Sequence, residues 1–317
     1  KLSRIATDQF EYRRDLIDRE LDPLLGDYKI VGTVGRGGVL KPLKGGTYIV
    51  NRTMLDYLIS DEVANHASNL GAGLADHYAR RFGVDAYIVD PVTVDEFPDV
   101  ARISGVPWIL RKSRAHALNI KAVVRRASAD IGIEADQSRY VVAHLGGGIS
   151  IAAVVGGRII DVNDALIGMG PYSPERAGAL PIGPLIDRCF SGNVTKEELL
   201  HELSRNSGLK AYCGTSDVRE ILERIANGDQ QADSALKGMI YQNVKEIGAM
   251  AAVLEGRLDA VLLTGGLAHS TEIVEMLTTP LFYLGKILVY PGEGELRALA
   301  QGAFRVIDGV EETREYL

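Results

Sequence analysis

Short apolar runs and amphipathic stretches alternate along the whole chain. The clearest apolar runs predict three strands, at 140–143, 149–155 and 158–162. Each run is rich in β-branched or aromatic residues, which favour strands, and glycines separate the runs. The pattern therefore predicts a hairpin and a third strand near the middle of the chain. Gly146, Gly147 and Gly148 lie between the first strand and the second.

Helices and strands are predicted to alternate on both sides of this region. Apolar positions at helical spacing predict a first helix at 8–25 and a long one at 231–254, which is apolar on most sides. The other predicted helices are 65–82, 113–131, 195–204, 217–225, 271–277 and 295–307, and the other strands are 29–34, 48–50, 86–89, 260–263 and 287–290. This alternation is typical of an α/β protein with hairpins mixed into its sheets.

Composition narrows the class of protein and its partners. A length of 317 residues suggests two domains, and 46% apolar with 24% charged residues is typical of a soluble globular protein. A net charge of −7 without a basic block argues against nucleic acid and anionic membranes as partners. The two cysteines, Cys189 and Cys213, lack metal-site spacing, and no signal peptide or membrane-spanning run is present. We therefore expect reduced thiols in a cytoplasmic protein.

The three glycines at 146–148 are flanked by His144 and Ser150 and could bind an anion through backbone N–H groups. They match neither common phosphate motif, since a strand rather than a helix follows them and the chain has no G-K-[ST] sequence. A strand, glycine turn and strand that hold phosphate suggest the actin-like ATPase and sugar-kinase architecture. An ordinary glycine-rich hairpin is the alternative that the shape of this segment leaves open.

Other candidate groups follow strand ends or lie in turns. Arg36 and Arg176 could each grip a carboxylate or phosphate, or be solvated surface groups. Asp90 could hold Mg²⁺ or cap the turn at Pro91. The further candidates are His116, Gly265, Gly266, Glu293 and Glu295. Together these groups suit phosphoryl transfer, in which positioning and charge neutralisation supply the catalysis.

Six segments resemble the butyrate kinases, a group within the acetate kinase family of the actin-like ATPase (ASKHA) superfamily. These segments are GRGGVLKPLKGGTY (35–48), NHASNLGAGLA (65–75), FPDVARISGVP (97–107), HLGGGIS (144–150), DVNDALIGMGPYSPERAGALP (161–181) and YQNVKEIGAMAAVLEGRLDAVLLTGGLAHS (241–270). The resemblance covers essentially the whole chain. Gly147 stands where acetate kinases usually have asparagine, in His-Leu-Gly-Asn-Gly, which favours the butyrate kinases.

The resemblance implies an α/β protein with two domains of duplicated ribonuclease H-like fold and a cleft between them. We place an acyl-substrate domain at 1–137 and a nucleotide-binding domain at 138–317, with the final helix, about 296–317, packing back on the first domain. The implied reaction converts butyrate and ATP reversibly to butyryl phosphate and ADP, with Mg²⁺, in a homodimer. A kinase for acetate or a branched-chain carboxylate, and a nucleotide-binding homologue without activity, are the alternatives.

The resemblance also implies a role for each candidate residue. Arg36 and Arg176 would grip the carboxylate and the transferring phosphoryl group, and His116 and His144 would lie near that group. Asp90 and Glu295 would flank Mg²⁺, with Glu293 close enough to compete for that role. The nucleotide-binding positions would be Gly146, Gly147, Gly148, Asp217, Gly265 and Gly266.

One expected motif is absent from the sequence. Family members begin with a strand and a turn similar to Asn-Pro-Gly-Ser-Thr-Ser-Thr-Lys, the first phosphate loop, and these 317 residues contain no such turn. We therefore expect either that such a segment precedes Lys1 or that the chain is a shortened homologue.

Overall fold

The computed structural model describes residues 5–26 and 28–317, so Lys1 lies outside the described part. The chain forms two compact units, one made of the chain up to Glu96 together with Gly294–Leu317, the other of Phe97–Glu293. The division thus differs from the one we placed at 137/138. The physical reason is that the helix Ala117–Ile131 packs on the central sheet of the second unit. The last helix belongs to the first unit.

The first unit is built on a small mixed sheet. Strand β3 (Ala86–Val89) lies in the centre, parallel to β1 (Thr33–Gly35) and antiparallel to β2 (Thr47–Ile49). In the described part of this unit the α-helices are α1 (Phe10–Leu21), α2 (Arg52–Leu58), α3 (Leu70–Phe82) and α12 (Glu295–Ile307). The apolar residues of β3 are all buried, and its end positions Asp90.

Two glycines allow α3 to cross β1 at unusually close range. A Cβ atom on Gly35 would overlap the backbone of Gly71, and a Cβ atom on Gly71 would lie 2.6 Å from the backbone nitrogen of Arg36. Only glycine fits where two backbones approach this closely. The crossing therefore fixes the backbone of Arg36, directly after β1.

The second unit contains a five-stranded sheet in the order β6–β5–β4–β7–β8. The strands are β4 (Arg139–Leu145), β5 (Ile149–Val155), β6 (Arg158–Val162), β7 (Ala260–Gly265) and β8 (Ile287–Pro291). Strands β4 to β6 are antiparallel, whereas β7 is parallel to both β4 and β8. The predicted hairpin and third strand are confirmed. These strands form because their β-rich runs are bounded by glycine turns.

The helices of the second unit include two that pack on the central strand. They are α4 (Asp99–Arg102), α5 (Ala117–Ile131), α6 (Ile182–Cys189), α7 (Lys196–Arg205), α8 (Leu209–Cys213), α9 (Val218–Ala226), α10 (Gln230–Val253) and α11 (Thr271–Thr278). Both α5 and α10 pack against β4. Val141, Ala143 and Leu145 of β4 join the apolar core that α10 covers. Since side chains alternate along a strand, His144 lies on the other face, with α5.

The start of one predicted helix differs in the structure, and the length and apolar character of the helices bear on membrane crossing. The helix predicted at 113–131 begins at Ala117, so His116 is its N-cap residue rather than an interior one. Within 5–26 and 28–317, no helix combines the length and the apolar character that crossing a membrane requires.

Candidate active site

The glycine turn connects the ends of β4 and β5. The Gly146 N–H donates to the Gly148 carbonyl over 3.1 Å, which makes the turn tight. Gly146 and Gly148 are buried and Gly147 is exposed. A side chain at Gly148 would overlap the guanidinium of Arg176, so the glycine leaves room for that arginine.

A second loop docks on this turn through Ser173. The Ser173 hydroxyl donates to the Gly147 carbonyl over 2.6 Å and accepts the backbone N–H of Arg176 over 3.1 Å. Ser173 itself is fully buried. One serine therefore ties the backbone of Arg176 to the glycine turn. Sequence reasoning missed Ser173, although a serine that bonds a backbone N–H a few residues later is a common turn device.

Arg176 carries a positive charge in a poorly solvated place. Burial lowers the pKa of Arg176, and the nearby Glu175 carboxylate acts in the opposite direction. Its Nη1 donates to the Ala165 carbonyl, whereas its buried Nε has no hydrogen-bond partner among the described residues. A guanidinium offers a planar fork of donors to carboxylate or phosphate. Arg176 thus has an unused donor beside the glycine turn, where an anion would complete its bonding.

The two predicted histidines lie together. The rings of His116 and His144 are stacked, with centroids 3.9 Å apart and planes inclined by 16°. His116 Nδ1 lies 2.8 Å from the Ser150 hydroxyl, and His144 Nε2 lies 3.7 Å from a carboxylate oxygen of Glu293. A Cβ atom on Gly146 would lie 3.1 Å from His144 Nε2. The histidine pair therefore borders the start of the glycine turn.

Gly265 and Gly266 at the end of β7 have different environments. Gly265 has φ +90°, and a Cβ atom on it would lie 2.5 Å from the Leu145 carbonyl oxygen. Gly266 is exposed, and an added Cβ atom would meet nothing within 4 Å. Gly265 also exchanges two backbone hydrogen bonds with Gly292. The end of β7 is thus held against the end of β4, with open space over Gly266.

Asp217 lies at the start of α9 and caps it. Its carboxylate accepts the Arg219 backbone N–H over 3.0 Å and pairs with the Arg219 side chain at 2.8 Å. These bonds, first of all the side-chain bond to Arg219, lower the pKa of Asp217 to about 2. The structure assigns it a capping function, and its contact with a nucleoside stays a prediction.

Three predicted residues lie in the first unit. The Arg36 guanidinium pairs with the Glu295 carboxylate at 3.0 Å, at the first residue of α12. Asp90 is 2% exposed, has φ +40°, and accepts the Gly46 N–H over 2.8 Å. Positive φ at a residue other than glycine is strained and is common at functional sites. The first unit therefore brings Arg36 and Glu295 together and holds Asp90 through its bonds with Gly46.

Metal binding is judged from the carboxylates that the structure describes. No group of three or more His, Cys, Asp and Glu side chains in this part of the chain is placed to hold a metal ion. Mg²⁺ usually takes only one or two protein carboxylates and completes its shell with water and phosphate oxygens. The buried Asp90 and the partly exposed Glu295 fit that kind of binding and do not form a complete protein cage.

Comparison with known proteins gives close relatives. The sequence model of the Acetokinase family matches residues 105–288. "Butyrate kinase 2" of Clostridium acetobutylicum is 45% identical over 310 residues, covering 98% of this chain and 87% of the relative. A "Probable butyrate kinase" of Enterococcus faecalis is 48% identical over 288 residues, covering 91% of this chain and 80% of the relative.

Solved structures show the same fold at lower sequence identity. Acetate kinase of Porphyromonas gingivalis has a TM-score of 0.76 at 20% identity, covering 92% of this chain and 84% of the other. A propionate kinase of Francisella tularensis has a TM-score of 0.72 at 21% identity, covering 90% and 83%. The α/β fold predicted from the sequence is thus confirmed as that of the acetate kinases.

We predict opposite outcomes for alanine at the two glycines that end β7. Gly265→Ala should lower the free energy of unfolding by about 3 kcal/mol, because it adds backbone strain and an overlap with Leu145. Gly266→Ala should change it by less than about 0.5 kcal/mol, since the site is open. Urea unfolding of both variants measures this difference, and equal losses would contradict it.

Proposed function

The chain belongs to the acetokinase family, and on that premise we propose that it transfers the γ-phosphoryl group of ATP reversibly to a short fatty acid. The preferred acid is butyrate, and the products are butyryl phosphate and ADP. Relatives named as butyrate kinases, 44–48% identical to this chain, support the choice of acid. The observation that carries the proposal is the half-buried Arg176, whose buried Nε has no partner among the described residues and lies beside a glycine turn.

Positioning and charge neutralisation do the chemical work in this proposal. Backbone N–H groups of the glycine turn and the Arg176 guanidinium bind phosphoryl oxygens, on which negative charge is spread in the transition state. His116 and His144 border the same turn. The open space over Gly266 leaves room for the adenosine, and Gly265 holds the end of β7 beside it. The transfer needs no protein nucleophile, and these groups supply the positioning and the charge neutralisation that it does need.

Arg36 has the task of binding the acid. In the structure its guanidinium is neutralised by Glu295, so both groups already lie at one place in the first unit. We propose that the substrate carboxylate takes up donors of Arg36 and that Asp90 and Glu295 would hold Mg²⁺ together with the phosphates. The ion would neutralise phosphate charge.

The first test measures acyl phosphate formation from ATP over a series of acids. We predict a kcat/KM about tenfold higher for butyrate than for acetate, because two more methylenes are buried at about 0.8 kcal/mol each. Candidate pocket walls lie near Asn65 and His66 and along 91–94 in the first unit, where Val94 is buried. The kcat/KM should fall again for acids that are too long to fit in the pocket.

The same series separates the alternatives. An equal kcat/KM for acetate and butyrate would support the assignment as an acetate kinase instead. A higher kcat/KM for isobutyrate or isovalerate would indicate a kinase for branched-chain acids. If the protein binds ATP but forms no acyl phosphate from any of the acids, the remaining interpretation is a nucleotide-binding homologue without kinase activity.

The second test concerns Arg176. We predict that Arg176→Met lowers kcat at least 100-fold and changes the KM for ATP less than about threefold, because the contact is made mainly with the transferring group. Arg257→Met is the control, since Arg257 precedes the opposite end of β7 and is exposed. Unchanged turnover in Arg176→Met, or an equal loss in Arg257→Met, would remove Arg176 from the mechanism.

We also propose a homodimer and a cytoplasmic location. The apolar residues of α10 that suggested dimerisation, among them Leu236, Met239 and Ile247, are buried in the core of their own unit. The dimer therefore stands on the resemblance, and a monomer mass in light scattering at micromolar concentration would contradict it. Cys189 and Cys213 are both free, as a reducing compartment requires, and cell fractionation tests the location.

A further inference from the structure

Asn119 is a buried amide on α5 that contacts two parts of the candidate site. It is 5% exposed. Its Nδ2 lies 2.8 Å from the backbone carbonyl oxygen of Glu293, and its Oδ1 lies 2.8 Å from His144 Nδ1. One side chain thus joins the ring on β4 to the segment that follows β8. A buried amide in this position stays stable only if both of its ends are bonded.

The carbonyl of Glu293 fixes which way the amide points. A backbone carbonyl can only accept a hydrogen bond, so the atom of Asn119 that faces it must be the NH₂ group. A flipped amide would set two oxygens against each other at 2.8 Å. The remaining atom, Oδ1, is therefore the one that faces His144.

The orientation of the amide in turn determines the protonation of one ring nitrogen. Oδ1 can only accept, so His144 Nδ1 must carry a hydrogen and donate it. This holds for the neutral ring and for the imidazolium alike. Nε2 is then the nitrogen directed to the glycine turn, as its distance of 3.1 Å from a Cβ position on Gly146 shows.

We propose that Asn119 is a positioning residue for phosphoryl transfer, which fixes His144 with Nδ1 protonated and Nε2 directed at the glycine turn. This inference rests on the proposed function for its kinetic part and on the structure alone for the tautomer. Stacking on His116 sets the plane of the ring, and the bond to Asn119 selects one of the two orientations within that plane. A misplaced group at a reacting centre costs about 100-fold in rate.

The neighbouring histidine shows why Asn119 is needed. His116 Nδ1 faces the Ser150 hydroxyl, which can either donate or accept. Ser150 therefore holds the ring of His116 without selecting its tautomer. The amide of Asn119, oriented by the Glu293 carbonyl, does select the tautomer of His144.

The tautomer is tested in the unliganded chain labelled with ¹⁵N-histidine. Long-range ¹H–¹⁵N spectra distinguish a protonated Nδ1 from a protonated Nε2, and His144→Gln assigns the signal among the six histidines. We expect Nδ1–H on His144 in the wild type and its loss in Asn119→Leu, which has similar volume and no acceptor. A wild-type His144 with bare Nδ1 would overturn the assignment.

Kinetics of the same variants test the positioning role. Asn119→Leu should lower kcat about 100-fold with the KM for ATP changed less than about threefold. Asn119→Asp keeps an acceptor for His144 but loses the donor to the Glu293 carbonyl, so it should retain Nδ1–H and an activity between those of Asn119→Leu and the wild type. The matched control is Asn243→Leu, because Asn243 is also a buried asparagine of this unit, 1% exposed, and touches neither histidine. It should leave both the spectrum and kcat unchanged.

Each outcome supports or overturns a distinct part. If Asn119→Leu alters the tautomer of His144 but keeps the wild-type kcat, the positioning role is overturned. The same holds if Asn119→Leu and Asn119→Asp lose kcat equally although Asn119→Asp keeps Nδ1–H. An equal loss in Asn243→Leu would show that any buried asparagine has this effect. A wild type that makes no acyl phosphate but has Nδ1–H on His144 would overturn the proposed function and retain the tautomer.

Discussion

The half-buried guanidinium of Arg176, which lacks a complete set of hydrogen-bond partners, is the constraint around which the candidate site of the second unit is built. Taking a charge out of water is costly unless other groups compensate for it, and Arg176 retains an unbonded Nε. The fold holds it there through Ser173 and by having glycine at 148. An anion that bonds to this guanidinium would recover part of the stability lost at this place.

The sequence predicted well the parts of the fold that local pattern controls. The strands around the glycine turn were found because buried strands are apolar, β-branched and bounded by glycine. The glycines at 265 and 266 were found together, although only the first is required by its positive φ. Arg176, His116 and His144 were also selected from the sequence, and the structure brings all three to the glycine turn.

Contacts between residues far apart in the sequence could not be predicted from the local pattern of apolar and polar residues. The bond of Asn119 to the Glu293 carbonyl joins residues 174 positions apart. The pairing of Arg36 with Glu295 joins residues 259 positions apart, and nothing local distinguishes that glutamate from a helix-capping one. The two compact units divide after Glu96 rather than at 137/138 for the same reason, since the sheet that α5 covers is completed by β7 and β8, far along the chain.

The division of the first unit into two chain segments affects how the protein is made. The Ile49 N–H donates to the Arg314 carbonyl and the Asn51 side chain to the Tyr316 carbonyl, so the final residues help complete the first sheet and its core. The second unit is one continuous segment and can fold as soon as it leaves the ribosome. At ~5–20 residues per second, the earlier segment of the first unit waits roughly 10–40 s for its missing helix. During synthesis, therefore, the apolar side chains around β3 stay without the cover of α12 until the end of the chain has emerged.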